Sequence, residues 1–119
     1  MGKVISVYIS NTTGSKCRDI TEERGGRKTP FSTVIEAFLK LCGYSDKKAV
    51  ELLKEYVNRE SPYTKKVTTI SLSPCAVHSI DKIASRLKTS RSNVVEAIIN
   101  FFYEEGYVVN VRKIEAYKR

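Results

Sequence analysis

The sequence predicts a mainly helical chain in which two short strands are each followed by two helices. In two stretches, apolar and polar residues alternate, which is the periodicity of a strand with one buried face. After each stretch, apolar residues recur at every third or fourth position, as they do in an amphipathic helix. A short sequence is also repeated in the two halves. These observations indicate two similar units in one chain.

The first unit begins with an alternating stretch, Lys3–Ser10. The apolar residues on one face of this predicted strand are Ile5, Val7 and Ile9. A turn follows, and residues 16–24 are predicted to form a short helix before Gly25 and Gly26. The apolar face of that helix holds only Cys17 and Ile20, so its packing surface is small.

Two further helices are predicted before the middle of the chain. Thr29 and Pro30 are a capping hydroxyl followed by a proline, which is typical of a helix start, and the helix is expected to run to residue 42. Ser45 is expected to cap a third helix over about residues 46–57. Residues 58–66 are polar and are interpreted as a linker.

The second unit repeats this order. Residues 67–73 alternate as a strand, and Ser73 with Pro74 predicts the start of the following helix. Ser90 is predicted to cap the next helix, which Gly106 ends. The apolar face of that helix is broader than one monomeric helix pair can cover, which indicates a partner surface. Residues 107–118 are interpreted as a short strand or a basic arm.

An internal match links the two units. Residues 32–39 align with residues 92–99 at an offset of 60, and four of the eight positions are identical. Residues 7–10 align with residues 70–73 at an offset of 63, so the strands match as well as the helices. The alternative is a chance coincidence between two amphipathic helices. The matching order of strand, cap and helix favours a repeat.

Charge and cysteine content limit the class of protein. The formal net charge is +8 and the pI is about 9.5, which favours a polyanionic partner, with nucleic acid first. Three cysteines without CxxC spacing argue against a disulfide framework and fit a cytoplasmic location. No apolar run approaches the roughly 18–20 residues of a membrane span, so no membrane association is expected.

The segment 67–106, in its order of strand, helix, turn and helix, resembles the ribbon-helix-helix family of DNA-binding regulators. The repeat makes the whole chain resemble the tandem form found among regulators of archaeal viruses and plasmids, for which the location would be the host cytoplasm. The resemblance implies a mainly α fold with a short antiparallel β-ribbon, in which two tandem repeats share one core. Repeat 1 would span 3–43 and repeat 2 would span 66–106. A connecting helix and linker over 44–65 and a basic C-terminal strand or arm over 107–119 would complete the chain.

The resemblance also implies a function, which is sequence-specific regulation of transcription, as a repressor or an activator, through a ribbon inserted into the major groove of double-stranded DNA. The outward strand residues would then contact bases, because hydroxyl and methyl groups can read base edges. These residues are Val4, Ser6, Tyr8, Val67, Thr69 and Ser71. Lysines at the strand starts and the N-terminus of each second helix would contact phosphates. The predicted phosphate contacts are Lys3, Arg27, Lys28, Thr29, Phe31, Lys66, Ser90, Arg91 and Ser92. Lys65, which also lies at a strand start, is expected within reach of bases or phosphates.

Several alternatives accompany this hypothesis. The repeats are expected to pair within one chain, and pairing between chains is the alternative; a homodimer or higher assembly on DNA is expected. An antitoxin-like or other protein-interaction module would use the same unit for dimerisation. A separate alternative is that the outward strand face is an ordinary solvated surface. Cys75 and His78 lie one helical turn apart, but zinc needs about four ligands and a nucleophile needs an orienting group. No catalytic residue, metal, cofactor or small-molecule substrate is therefore predicted, and the chain is not expected to be an enzyme.

Overall fold

A computed structural model describes residues 2–21, 31–57 and 65–119. These residues form five helices and four strands, and no helix among them is long and apolar enough to cross a membrane. The elements are β1 (Lys3–Ser10), α1 (Asn11–Asp19), α2 (Phe31–Leu41), α3 (Asp46–Leu53), β2 (Lys65–Leu72), α4 (Pro74–Leu87), α5 (Arg91–Glu105), β3 (Tyr107–Asn110) and β4 (Glu115–Lys118).

Strands β1 and β2 form an antiparallel two-stranded ribbon. The register runs from Lys3 opposite Leu72 to Ser10 opposite Lys65, and Ser6 lies opposite Thr69 near its centre. The inward side chains are buried, as their alternation predicts. They are Ile5, Val7, Ile9, Ile70 and Leu72. An isolated ribbon is only marginally stable in water, so this one depends on the helices beneath its apolar face.

Serine side chains begin four of the helices. Each N-cap serine has an extended backbone, and its hydroxyl accepts a hydrogen bond from the backbone N–H three residues later. These residues are Ser10, Ser45, Ser73 and Ser90. The predicted caps at Ser45, Ser73 and Ser90 are therefore confirmed. Gly106 ends α5 with a φ of 77°, a left-handed conformation that glycine adopts without strain.

One apolar cluster joins the ribbon to the helices. Phe38 of α2 lies with its ring edge toward Phe101 and Phe102 of α5, at centroid distances of 5.7 and 5.8 Å. The cluster also includes side chains from α1, α3 and α4. Helix α3 packs against α4 and α5, while β3 and β4 pair as a hairpin that packs against α2 and α5. These contacts cover the broad apolar face of α5.

Several predicted boundaries are wrong. The first helix runs from Asn11 to Asp19, not over residues 16–24, because Ser10 caps it and Thr13 anchors its first turn. Helix α3 ends at Leu53, not at residue 57. Strand β2 begins at Lys65, within the predicted linker.

The C-terminal segment is a hairpin, not a single strand or an arm. Strand β3 pairs with β4, and the Val109 N–H donates a hydrogen bond to the Ile20 carbonyl at 2.7 Å. This contact joins the hairpin to the end of α1. The predicted helix start at Thr29 and Pro30, the glycine pair Gly25 and Gly26, and most of the predicted linker lie outside the described residues.

Candidate nucleic-acid interface

The outward face of the ribbon is a continuous exposed strip. All six side chains predicted to contact bases are exposed, and the register sets them directly opposite one another in three pairs. The pairs are Val4 with Ser71, Ser6 with Thr69, and Tyr8 with Val67. Val4, Tyr8 and Val67 remain 68%, 57% and 62% exposed, which is high for apolar or aromatic side chains. We call these six residues the ribbon strip.

The N-terminus of α5 lies beside one half of the ribbon strip. The Tyr8 backbone N–H donates a hydrogen bond to Ser92 Oγ at 2.8 Å, which fixes the helix end against the edge of β1. Ser90 accepts from the Asn93 N–H and so caps the same turn. The arrangement leaves an open groove of about 610 Å³ between strand and helix. The groove is lined by Ser6, Tyr8, Lys65, Ser90, Arg91, Ser92 and Asn93.

The groove therefore brings together residues from both predicted sets. Ser6 and Tyr8 come from the predicted base contacts, and Ser90, Arg91 and Ser92 come from the predicted phosphate contacts. Backbone N–H groups of a first helical turn, together with the helix dipole, favour an anion at such a position. The surface combines hydroxyl groups, an aromatic ring and two cationic side chains, Lys65 and Arg91.

Arg91 has a partner that the sequence analysis did not identify. Its Nη2 donates to Asp81 Oδ2 at 2.9 Å, and its Nε donates to Asp81 Oδ1, so the two side chains form a two-point ion pair. The hydrogen bond from Arg91 lowers the pKa of Asp81, and the same bond raises the pKa of Arg91. Both side chains stay exposed, at 42% for Arg91 and 44% for Asp81.

Lys65 does not serve as a free cation. Its Nζ lies 2.6 Å from Glu96 Oε1, and its side chain is only 16% exposed. Glu96 Oε2 accepts from the Ser10 N–H at 3.1 Å and from Thr13 Oγ1 at 2.9 Å. The charge of Lys65 is thus held by a buried carboxylate, and its contact with DNA stays a prediction. The signal for this network in the sequence was Glu96, a glutamate among the apolar residues of α5.

The remaining predicted contacts fall into three groups. Lys3 and Lys66 lie at opposite ends of the ribbon and are exposed. The Phe31 side chain is buried in the core, which leaves only its backbone for an anion. Arg27, Lys28 and Thr29 lie outside the described residues.

The cysteines and His78 form no metal site in the described part of the chain. Cys75 and His78 are exposed on α4, and no group of three or more His, Cys, Asp or Glu side chains there could hold a metal ion. Burial raises the pKa of Cys17 to about 12 and that of Cys42 to about 11, so both remain protonated thiols at neutral pH. The chemistry available in the groove is therefore hydrogen bonding and ionic interaction, from the side chains that line it.

Comparison of the chain with protein-family models, with curated protein sequences and with solved structures finds no match.

Proposed function

We propose that this chain is a regulator of transcription that binds double-stranded DNA through the ribbon strip, as a tandem ribbon-helix-helix protein. The observation that carries the proposal is the groove in which the ribbon strip meets the N-terminus of α5. A two-stranded ribbon fits the major groove, which is about 12 Å wide. A helix N-terminus beside it is suited to hold a backbone phosphate and so to orient the ribbon.

The register of the ribbon supports two repeats within one chain. Ser6 lies opposite Thr69, which is its own counterpart at the offset of 63 between the two strands. Helices α1 and α4 begin at Asn11 and Pro74, which are related by the same offset. A ribbon centred on a pair of equivalent residues is what an approximate two-fold axis produces. In this proposal the two repeats pair within the chain as a homodimer would between chains.

Reciprocal contacts between the halves support the same arrangement. The Ser10 N–H, at the start of α1, donates to Glu96 of α5. The Ser73 hydroxyl, at the start of α4, donates to Glu36 of α2 at 3.0 Å. Glu36 and Glu96 are equivalent at the offset of 60. Each half thus supplies the glutamate that binds the first helix of the other half.

The chemistry of the ribbon strip suggests how a sequence would be recognised. Hydroxyl groups at Ser6, Thr69 and Ser71 can exchange hydrogen bonds with base edges, and Val4 and Val67 can contact thymine methyl groups. Because Tyr8 corresponds to Ser71, the two halves of the ribbon strip differ. A single chain would therefore prefer a site without two-fold symmetry.

Fluorescence anisotropy with a labelled duplex of mixed sequence tests the proposal. Binding should weaken steeply between about 50 and 200 mM salt, because cations that neutralise phosphates release counterions. The slope of log affinity against log salt gives the number of phosphates neutralised, at about 0.9 per phosphate. Absence of binding at low salt, or an affinity that does not change with salt, would contradict the proposal.

A further inference from the structure

An acidic side chain that is paired with the groove arginine opposes the proposed ligand. Asp81 projects from α4 toward the first residue of α5 and occupies two donors of the Arg91 guanidinium. These two donors lie on one edge of the planar guanidinium group. Without Asp81, that edge can donate two hydrogen bonds to a phosphate. Arg91 also lines the groove beside Tyr8. The protein without ligand therefore holds its groove arginine in an internal ion pair.

Other basic groups lie near the same carboxylate. Lys3 and His78 contribute, after Arg91, to lowering the pKa of Asp81, so its negative charge is close enough to both to interact. Lys3 is one of the predicted phosphate contacts. Asp81 therefore offsets positive charge on the side of the molecule that is proposed to face a polyanion, and its own charge would repel an approaching phosphate.

We propose that Asp81 restrains Arg91 and thereby sets the affinity for nucleic-acid phosphates, an inference that rests on the proposed function. A phosphate must displace the Asp81 carboxylate before it can take the edge of Arg91 that Asp81 holds. An exposed ion pair of this kind is weak, so displacement is feasible. The pair limits non-specific binding without preventing it, and Asp81 is a positioning residue that acts through Arg91.

The test is a double-mutant cycle with Asp81→Asn, Arg91→Ala and the double variant, measured by anisotropy on a mixed-sequence duplex. Asp81→Asn should tighten binding about two- to fivefold, which corresponds to the usual strength of an exposed pair. It should also make the salt slope steeper by up to about 0.9, the value for one additional phosphate. In the Arg91→Ala background the same substitution should have a much smaller effect, because only the repulsion by the Asp81 charge is then removed.

Asp46→Asn is the matched control. Asp46 is also paired with an exposed arginine, Arg86, at 2.8 Å, but Arg86 does not line the groove, whereas Arg91 does. Both substitutions raise the net charge by the same amount. If Asp81→Asn tightens binding no more than Asp46→Asn does, or acts equally with and without Arg91, the inference is wrong. Weaker binding by Asp81→Asn would also overturn it, because Asp81 would then hold Arg91 in its binding position.

Elution from immobilised heparin separates this inference from the proposed function. Heparin is a sulfated polyanion, so release of Arg91 should raise the salt at which Asp81→Asn elutes above that of the unmodified protein and of Asp46→Asn. If no duplex binds but this shift occurs, DNA binding is wrong and the restraint on Arg91 stands. If the duplex binds and neither measurement separates Asp81→Asn from Asp46→Asn, the restraint is wrong and DNA binding stands.

Discussion

Ser10 and Glu96 are joined by a hydrogen bond from the Ser10 backbone N–H to Glu96 Oε2, at 3.1 Å, across 86 positions of sequence. Glu96 is 2% exposed, and its other oxygen lies 2.6 Å from Lys65 Nζ. One buried carboxylate thus connects β1, the start of α1, the start of β2 and α5. A buried charge of this kind is tolerated only when its partners are all in place.

Glu96→Gln should therefore destabilise the fold by about 2 kcal/mol or more, because it leaves the Lys65 ammonium without its counter-charge in a mostly buried position. Glu36→Gln is the matched control, since Glu36 is the counterpart of Glu96 but is only half-buried. The Glu36→Gln substitution should lower the free energy of unfolding by less than about 1 kcal/mol. Urea unfolding with an unchanged m value measures both changes. If both variants lose the same free energy of unfolding, the buried ion pair of Glu96 stabilises the fold no more than the half-buried Glu36 does.

Arg91→Ala should weaken binding to every duplex by a similar factor, because a phosphate contact carries no sequence information. The salt slope should become shallower by up to about 0.9. Arg86→Ala is the control, since Arg86 is an exposed arginine on α4 that is paired with Asp46. Anisotropy on two unrelated duplexes measures both variants. A loss confined to one duplex would mean that Arg91 reads bases.

The three cysteines should react with a thiol reagent at very different rates. Cys75 is exposed, whereas Cys17 and Cys42 are 0% and 2% exposed. Burial also raises the pKa of both buried thiols, so at pH 8 they contain almost none of the reactive thiolate. Titration of the folded protein with a coloured disulfide reagent should show one fast thiol, and the unfolded protein should show three. A second fast thiol in the folded protein would contradict the packing around α1 and α2.

The features that could be predicted from the sequence are those that depend on neighbouring residues. The alternation of Ile5, Val7 and Ile9 identified the buried face of β1, and hence which side chains point outward. Ser73 with Pro74, and Ser90, marked helix starts that the structure confirms. Each of these features depends on residues only a few positions apart. The pairing of β1 with β2 then set the six outward residues opposite one another.

The features that sequence reasoning missed depend on residues far apart in the chain. Helix α1 has few apolar residues, and Thr13 in its first turn is held by Glu96, so periodicity gave no signal for its true start. The hairpin of β3 and β4 is likewise anchored by Ile20. Asp81 and Arg91 are ten positions apart on two helices, and only the angle between those helices brings them together.

Selection of DNA from a randomised duplex pool tests the central claim most directly. The unmodified protein should enrich a site without two-fold symmetry, and Thr69→Ala with Ser71→Ala should lose about tenfold or more of that preference, at about 1–3 kcal/mol per base contact. Non-specific binding should persist, because the phosphate contacts remain. Ser15→Ala with Ser85→Ala, which alters exposed serines on α1 and α4, should enrich the original site. If the variant with Thr69→Ala and Ser71→Ala enriches the same site as the unmodified protein, and with equal preference, recognition through the ribbon strip is contradicted.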